Sequence, residues 1–542
     1  MQTVRYRINQ LKLDPRTIVD RAPEELLEKA VLKEIRRVKP SCAAQISNLE
    51  IIRESIDARK KPDVKLVYTV DFDCGERLPF DVAKREEYHI PKPLKTESDS
   101  EEGRPLVVGF GPCGIFAALI LAEAGLAPIV IERGKSVDER VADVERFWED
   151  AKASHTAVPD PESNVQFGEG GAGTFSDGKL TTGIKDVRIR KVLEEFVEAG
   201  ADPSVLYKHR PHIGTDKLRQ IIPEIRKKIE RLGGEVRFST RLEDFVFVEG
   251  KLKAVKVRRT GVEPEEDMIE TGCVILAIGH SARDTFEVLR KRGFRMEQKP
   301  FSIGVRIEHP QEMINESQYG DPHLAEILGP ADYKLSYRCG REGAAEGRGV
   351  YTFCMCPGGY VVNASTEAET SVTNGMSDSR RGSDYANSGL LVDVRTEDFT
   401  GDDPLAGVEF QKKYERLAWE NRTEGGMAKS TYGKFRGAET AEDGADKDPV
   451  RSSLPAFASE AILEAMPVFG RRIKGFDRDD ARLTAVESRS SSPVRVLRDE
   501  SMQAPGFRGV IPAGEGPGYA GGIMSAAVDG IRAAEMIILS GK

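Results

Sequence analysis

Tryptophan, histidine and cysteine are scarce in this chain of 542 residues, at two, seven and seven respectively. The cysteines are odd in number and scattered, so they read as reduced thiols rather than a disulfide framework. The histidines show no H-E-x-x-H or other ligand spacing, so no metal centre is expected. Long apolar runs are missing too. The longest, around Ile115 to Leu126, is interrupted by Glu123, which excludes a membrane-spanning helix. The N-terminus, MQTVRYRINQLKL, alternates like a strand and has no signal-peptide core, so a cytoplasmic location is expected. Nor is there surplus positive charge: 80 Lys and Arg stand against 89 Asp and Glu, a net −9. That balance argues against a nucleic-acid or anionic-membrane partner, which needs a basic face. Hydrophobic residues at 39% and charged residues at 31% describe a globular chain long enough for two or three cores.

The most informative stretch runs from Leu106 to Arg133, LVVGFGPCGIFAALILAEAGLAPIVIER. An apolar run stops at Gly109, and Gly111 and Gly114 complete G-x-G-x-x-G around Pro112 and Cys113. A helical stretch follows, then a second apolar run ending in Glu132. In a βαβ unit carrying a dinucleotide, Gly109 makes the tight turn and Gly111 lets the backbone approach the pyrophosphate. Gly114 and Ala118 let the helix pack on the sheet. The helix N-terminus offers N–H groups and partial positive charge to the phosphates, and Glu132 is placed to accept from a ribose. Cys113, inside the turn, reads as packing.

Before this unit, Thr3–Leu13 alternates, Ala22–Val38 has helical spacing and Val64–Phe72 is β-rich, which suggests a small α+β module of split-βαβ type. Pro91–Pro105 reads as a linker, and Gly437–Pro449 as a loop. Glu235–Phe238, Arg241–Val248 and Leu252–Arg258 look like consecutive strands with a turn at Glu249-Gly250.

Two further glycine turns lie far downstream. Val274-Ile-Leu-Ala-Ile-Gly279 is a buried strand breaking at Gly279, followed by His280 and Ser281. Gly509-Val-Ile-Pro-Ala-Gly-Glu-Gly516 leads through Gly521, Gly522 and Ile523 into a last helix. An NAD dehydrogenase would continue with more βα units and a compact catalytic domain. Three glycine turns in this order point instead to FAD. The last helix start would then face the flavin pyrimidine edge, stabilising charge that develops there on reduction.

The stretches GFGPCGIFAA, QFGEGGAGTFSDGKLTT, TFCMCPGGYVVNAS, TNGMSDSRR, ANSGLLV, VESRSSSPVRV and PAGEGPGYAGGIMSAAVDG together resemble a bacterial group of FAD-dependent dehydrogenases with plastid relatives. This group lies within the broad glutathione-reductase-like class, and its layout is also similar to geranylgeranyl-reductase-like flavoproteins. The resemblance implies bound FAD and a second domain over the flavin. The expected fold is α/β: a discontinuous Rossmann-type FAD-binding domain with an inserted strand-rich substrate domain and a small N-terminal α+β module. The expected boundaries are 1–90 for the module, 91–104 for the linker, 105–300 for the first FAD part, 301–480 for the substrate domain and 481–542 for the second FAD part. Expected cofactor contacts are Gly109, Gly111, Pro112, Cys113, Gly114, Glu132 and Arg133 at the first turn. Gly171, Gly173, Thr174, Asp177, Gly178 and Lys179 follow in the Gly-rich segment. Phe245, Ala277, Gly279, His280, Gly514, Glu515, Gly521, Gly522 and Ile523 complete the set.

For the chemistry, Lys179 is a candidate to place positive charge near the reduced flavin or a substrate anion. Arg489 and Ser491, two apart in an extended segment, share one face, and an Arg fork suits a carboxylate or phosphate. Arg306 either faces the flavin or makes an ion pair, and His280 is a candidate general acid. Cys354-Met-Cys356 lacks the C-x-x-C or C-x4-C spacing of disulfide reductases and reads first as two packed residues, with a redox pair as the alternative. The expected reaction is hydride transfer through flavin N5 between a small-molecule substrate and an electron donor or acceptor. There is no second flanked G-x-G-x-x-G, so NAD(P)H as donor would dock transiently on the flavin face. Two other readings stand beside this one: a flavoprotein gripping RNA through Arg53, Arg59, Lys60 and Lys61, and a non-catalytic FAD-bound sensor. The sequence is silent on oligomeric state.

Overall fold

The computed structural model describes residues 3–19, 21–40, 46–92, 103–154, 157–261, 265–437 and 448–540. Most of the expected linker and of the Gly437–Pro449 loop lies outside them.

The N-terminal alternation does form a strand, Val4–Leu13, followed by helix Pro23–Val38 and strands Ile46–Asp57 and Lys65–Cys74. Lys65–Cys74 runs antiparallel between the other two, so Val4–Leu13 and Ile46–Asp57 are parallel and split by a third strand. The helix turns Leu27, Val31 and Ile35 onto this sheet, as its i, i+4 spacing dictates. The edge strand Ile46–Asp57, ISNLEIIRESID, carries no clean alternation because its faces are only half covered.

Five short parallel strands form the second unit, in the order Val510–Pro512, Val274–Leu276, Leu106–Val108, Ile129–Ile131 and Glu235–Arg237. All residues of the first four are apolar and buried, which matches a sheet covered on both faces. Glu235–Arg237, read as one of a run of hairpin strands, is instead the edge of this sheet. The meander that follows it is Thr240–Val248, Lys251–Arg259 and Glu266–Glu270. Helix Pro112–Glu123 is buried along nearly its whole length and crosses the last helix, Ile523–Ser540, at very close range. A Cβ on Gly530 would stand 2.1 Å from Cys113 O.

The third unit is a six-stranded antiparallel sheet. Its order is Ser336–Arg338, Gly349–Cys356, Tyr385–Val394, Phe301–Pro310, Arg482–Glu487 and Ala428–Thr431. Helix Ala456–Arg472 supplies Ala461, Ile462, Ala465 and Phe469 to its core. The boundary expected at residue 480 therefore needs correction. Arg482–Glu487 completes this sheet, and the chain rejoins the parallel sheet only at Val510–Pro512. Where it crosses back, Val494–Val496 pairs antiparallel with the outgoing Met296–Gln298. The N-terminal module is bonded to the body through its strand Ile46–Asp57: Glu54 N donates to Tyr207 O and His209 N to Glu54 O, both at 2.8 Å.

No helix among the described residues is long and apolar enough to cross a membrane.

Candidate active site at the ends of the parallel strands

Neighbouring parallel strands place their C-terminal ends side by side, so three turns that lie far apart in the chain, at Gly109, Gly279 and Gly514, become adjacent. Leu106–Val108 ends in Gly109, Val274–Leu276 leads to Gly279, and Val510–Pro512 leads to Gly514 and Glu515. In an open α/β sheet that edge is where ligands bind. A cavity of about 1100 Å³ opens there, at or above the roughly 300–1,000 Å³ typical of small-molecule sites.

At the first turn, Gly109 has φ +97°, and a Cβ there would lie 2.4 Å from Ala277 O. No other residue fits. Gly111, Pro112 and Cys113 line the cavity, whereas Gly114 does not. Its missing Cβ would lie 1.9 Å from Gly109 O, so Gly114 serves packing rather than contact. Glu132 lines the cavity while accepting from Phe110 N at 2.8 Å and from Gly134 N and Gly168 N at 2.9 Å. Three of its roughly four lone-pair directions are thus used, and one is left for a ribose hydroxyl. Arg133 is held over the Phe167 ring by Glu162 and Asp284.

The Gly-rich segment is shaped by a residue the sequence reading missed. Arg140 is fully buried and donates to the carbonyls of Asn164, Val165, Glu169 and Gly171. A helical Arg looks like solvated surface in sequence; only this loop's unpaired carbonyls reveal its purpose. From the segment, Gly171, Gly173, Asp177, Gly178 and Lys179 reach the cavity. Thr174 does not: its hydroxyl donates to Glu169 O and its carbonyl accepts from Thr215. Asp177 is clamped by Arg381, and its carboxylate also accepts from Ser377. Lys179 lies 3.7 Å from that carboxylate and keeps 24% of its side chain exposed.

At the second turn, Ala277, Gly279 and His280 line the cavity. Burial, with Arg489 and Arg283 nearby, pushes His280 down to about 3. It is therefore neutral at physiological pH and has no proton to give as the expected general acid. Arg489 and Ser491 both reach the wall, but Arg489 is not free to fork onto a substrate. It forks onto Glu415 at 3.0 and 2.8 Å and donates to Thr366 and Ser281. Arg283 shares the same carboxylate. Burial alone would raise the Glu415 carboxyl, but the two guanidiniums hold it well below the usual range.

At the third turn, Glu515, Gly521, Gly522 and Ile523 line the cavity. Gly514 does not, because it packs on Cys113 and its N–H goes to Asp529. Gly521 N–H bonds Ser525 Oγ, and Gly522 N–H turns to the Glu515 carboxyl. Of the three expected amides, Ile523 N–H, which opens the helix, is left without an intrahelical partner. A Cβ at Gly521 would meet no protein atom within 4 Å, so protein packing does not require glycine there and the room is left to a ligand. Burial pushes the Glu515 carboxyl up to about 7, against the opposing pull of Gly522 N–H and Lys299.

Beyond Gly114, Thr174 and Gly514, two further expected residues lie off the cavity. Phe245 sits in the core with Leu242, Phe247 and Phe294, off the cavity; the register shift between Leu242 and Asp244 turns it to the same face as Leu242. Arg306 is fully buried behind the wall, paired with Glu487 at 2.5 Å and bonded to Cys354 O, Asn374 and Asn387. It positions Glu487, Asn374 and Cys354, which do reach the cavity. Lys208, His209 and Arg210, from the segment bonded to the N-terminal module, also line it.

An extended cavity with two helix starts, a ribose acceptor and ligand room at Gly521 fits FAD. Residues 300–490 match a family described as FAD-dependent protein, C-terminal domain-like, and residues 5–73 match a domain of unknown function. An uncharacterised protein of Clostridium beijerinckii is 44% identical over 532 residues, covering 95% of this chain and 96% of its own. Among solved structures, similarity extends to a geranylgeranyl bacteriochlorophyll reductase-like protein from Thermoplasma acidophilum, at 15% identity and TM-score 0.36, over 81% of this chain and 79% of that one. It also extends to the glycerol-3-phosphate dehydrogenase from Bacillus halodurans complexed with FAD, at 12% identity and TM-score 0.33, over 82% and 66%. Likeness at that level adds nothing to what the strand order already shows. The chain belongs to one family with the Clostridium beijerinckii protein, and through residues 300–490 it matches the FAD-dependent proteins.

Proposed function

We propose that the cavity is the active site of a dehydrogenase or reductase in which a hydride passes through flavin N5 between a small anionic substrate and an electron donor or acceptor. Bound FAD supplies the two-electron chemistry; the chain's own residues orient it and receive the substrate. Glu132 and the first helix start hold the adenosine and pyrophosphate end. Ile523 N–H and the start of the last helix meet the other end, where the helix dipole favours negative charge. Lys179 is the cation placed to meet a substrate anion. With Asp177 already neutralised by Arg381, Lys179 keeps most of its charge for the cavity. Tyr351, Phe353 and Met355 supply apolar wall.

The observation that carries this reading is the adjacency of three strand-end turns on one cavity. The basic cluster of the N-terminal module does not favour RNA. Arg59 forks onto Asp57, Arg53 bonds His209 and Lys61 donates to Ser317 O. The module instead braces the segment that supplies Lys208 and Arg210 to the cavity mouth. Anaerobic mixing of the purified protein with NADH or NADPH tests the reading. Loss of the flavin absorbance, and its return with an added acceptor, is expected. A flavin that no reductant of this kind discharges, and that no anionic small molecule perturbs, would leave a binding scaffold instead.

A further inference from the structure

The Cys354-Met-Cys356 segment ends strand Gly349–Cys356 at an irregularity: its ladder with Tyr385–Val394 slips between Phe353 and Cys356, and Cys354 takes φ +45°. Cys354 is thereby set into the cavity wall with Lys179, Glu487 and Glu515. Cys356 stands directly behind, fully buried, its thiol donating to Cys354 O at 3.2 Å. Arg306 donates to the same carbonyl at 3.0 Å and fixes the pair from below. Among the described cysteines, Cys354 is the one not fully buried. We propose that Cys354 and Cys356 are a redox-active dithiol that exchanges two electrons with the flavin of this cavity, so that the protein couples its flavin to thiol–disulfide chemistry.

The shift in the ladder and the positive φ at Cys354 break the strand's alternation and turn the Cys356 thiol back toward residue 354 without a C-x-x-C helix turn. The Cys356 thiol, together with Lys179 and Arg306, holds the Cys354 thiol well below its ordinary value against the opposing effect of burial. Cys354 is therefore the thiolate, the form that reacts, while Cys356 keeps its proton. In the oxidising direction the Cys354–Cys356 sulfur–sulfur bond forms as the thiolate–thiol pair gives up two electrons and the single proton that Cys356 holds, which bound FAD would accept on becoming its anionic two-electron-reduced form. In the reducing direction the disulfide would take back two electrons and one proton from the reduced cofactor, opening to the Cys354 thiolate and the Cys356 thiol. Cys354, on the open side, is the sulfur that an external disulfide or thiol can reach.

This inference rests on the FAD reading of the cavity, and one titration separates the two. Holoenzyme is oxidised with diamide, desalted and titrated anaerobically with dithionite, with samples denatured and alkylated before and after. Wild type is expected to take up twice the reducing equivalents per flavin of Cys356→Ser. Its peptide spanning both cysteines should be closed to alkylation at the start and doubly alkylated at the end. Equal uptake in the two proteins, with both thiols alkylated throughout, would overturn the dithiol while leaving the flavin site standing. A preparation without flavin would overturn both. If Cys356→Ser does not fold, the wild-type count and the alkylation pattern decide alone.

Discussion

Gly521→Val separates room kept for a ligand from room required by the fold. A Cβ at Gly521 meets no protein atom within 4 Å, and the residue is exposed on the cavity. The apoprotein should therefore melt within about 0.5 kcal/mol of wild type, as for surface substitutions. Bound FAD, in contrast, is pushed off the start of helix Ile523–Ser540. Losing the Ile523 N–H bond costs about 1 kcal/mol, and losing the helix dipole costs up to about 1 kcal/mol more. Together that is about 2 kcal/mol, or about 30-fold in Kd. Quenching of flavin fluorescence during titration of apoprotein reads this directly. Gly109→Ala is the contrast: its Cβ would lie 2.4 Å from Ala277 O at φ +97°, so stability and FAD affinity should fall together. An unchanged Kd in Gly521→Val, with the apoprotein folded, would refute the placement of the flavin end.

Three other outcomes follow from the geometry. Glu415→Ala leaves Arg283 and Arg489 buried without their shared carboxylate and should cost about 3–5 kcal/mol, read by urea unfolding; a loss under 1 kcal/mol would contradict that role. The Glu515 carboxyl, held up to about 7 by burial, is neutral below that pH and an anion above it. FAD, itself anionic, should bind more weakly as pH rises through about 7; Glu515→Gln should flatten the profile, and a wild-type profile already flat would count against it. Lys179→Met should raise the KM for an anionic substrate about tenfold or more, corresponding to loss of one charged hydrogen bond of about 1.5–3 kcal/mol, while FAD stays bound; an unchanged KM would remove Lys179 from the substrate site.

What the sequence revealed was local. The apolar runs before Gly109, Gly279 and Gly514 announced strand ends, and period 3.6 marked Pro23–Val38. It could not show which ends are neighbours; parallel pairing of Leu106, Val274 and Val510 does that. Arg489 looked like a substrate fork because its carboxylate partner, Glu415, lies 74 residues away, and the choice between flavin and ion pair for Arg306 stayed open because Glu487 lies 181 residues away. Thr174 stood beside the cavity residue Gly173, and Phe245 three residues from Leu242, but both are buried away from the cavity. Cys354 read as packing because alternation gives no warning of a bulge.

The visible spectrum of the purified protein, with the nucleotide released on denaturation identified and counted, tests the central claim most directly. A yellow protein yielding one FAD per chain is the predicted result. A colourless protein that takes up no FAD from excess, though folded, would contradict it.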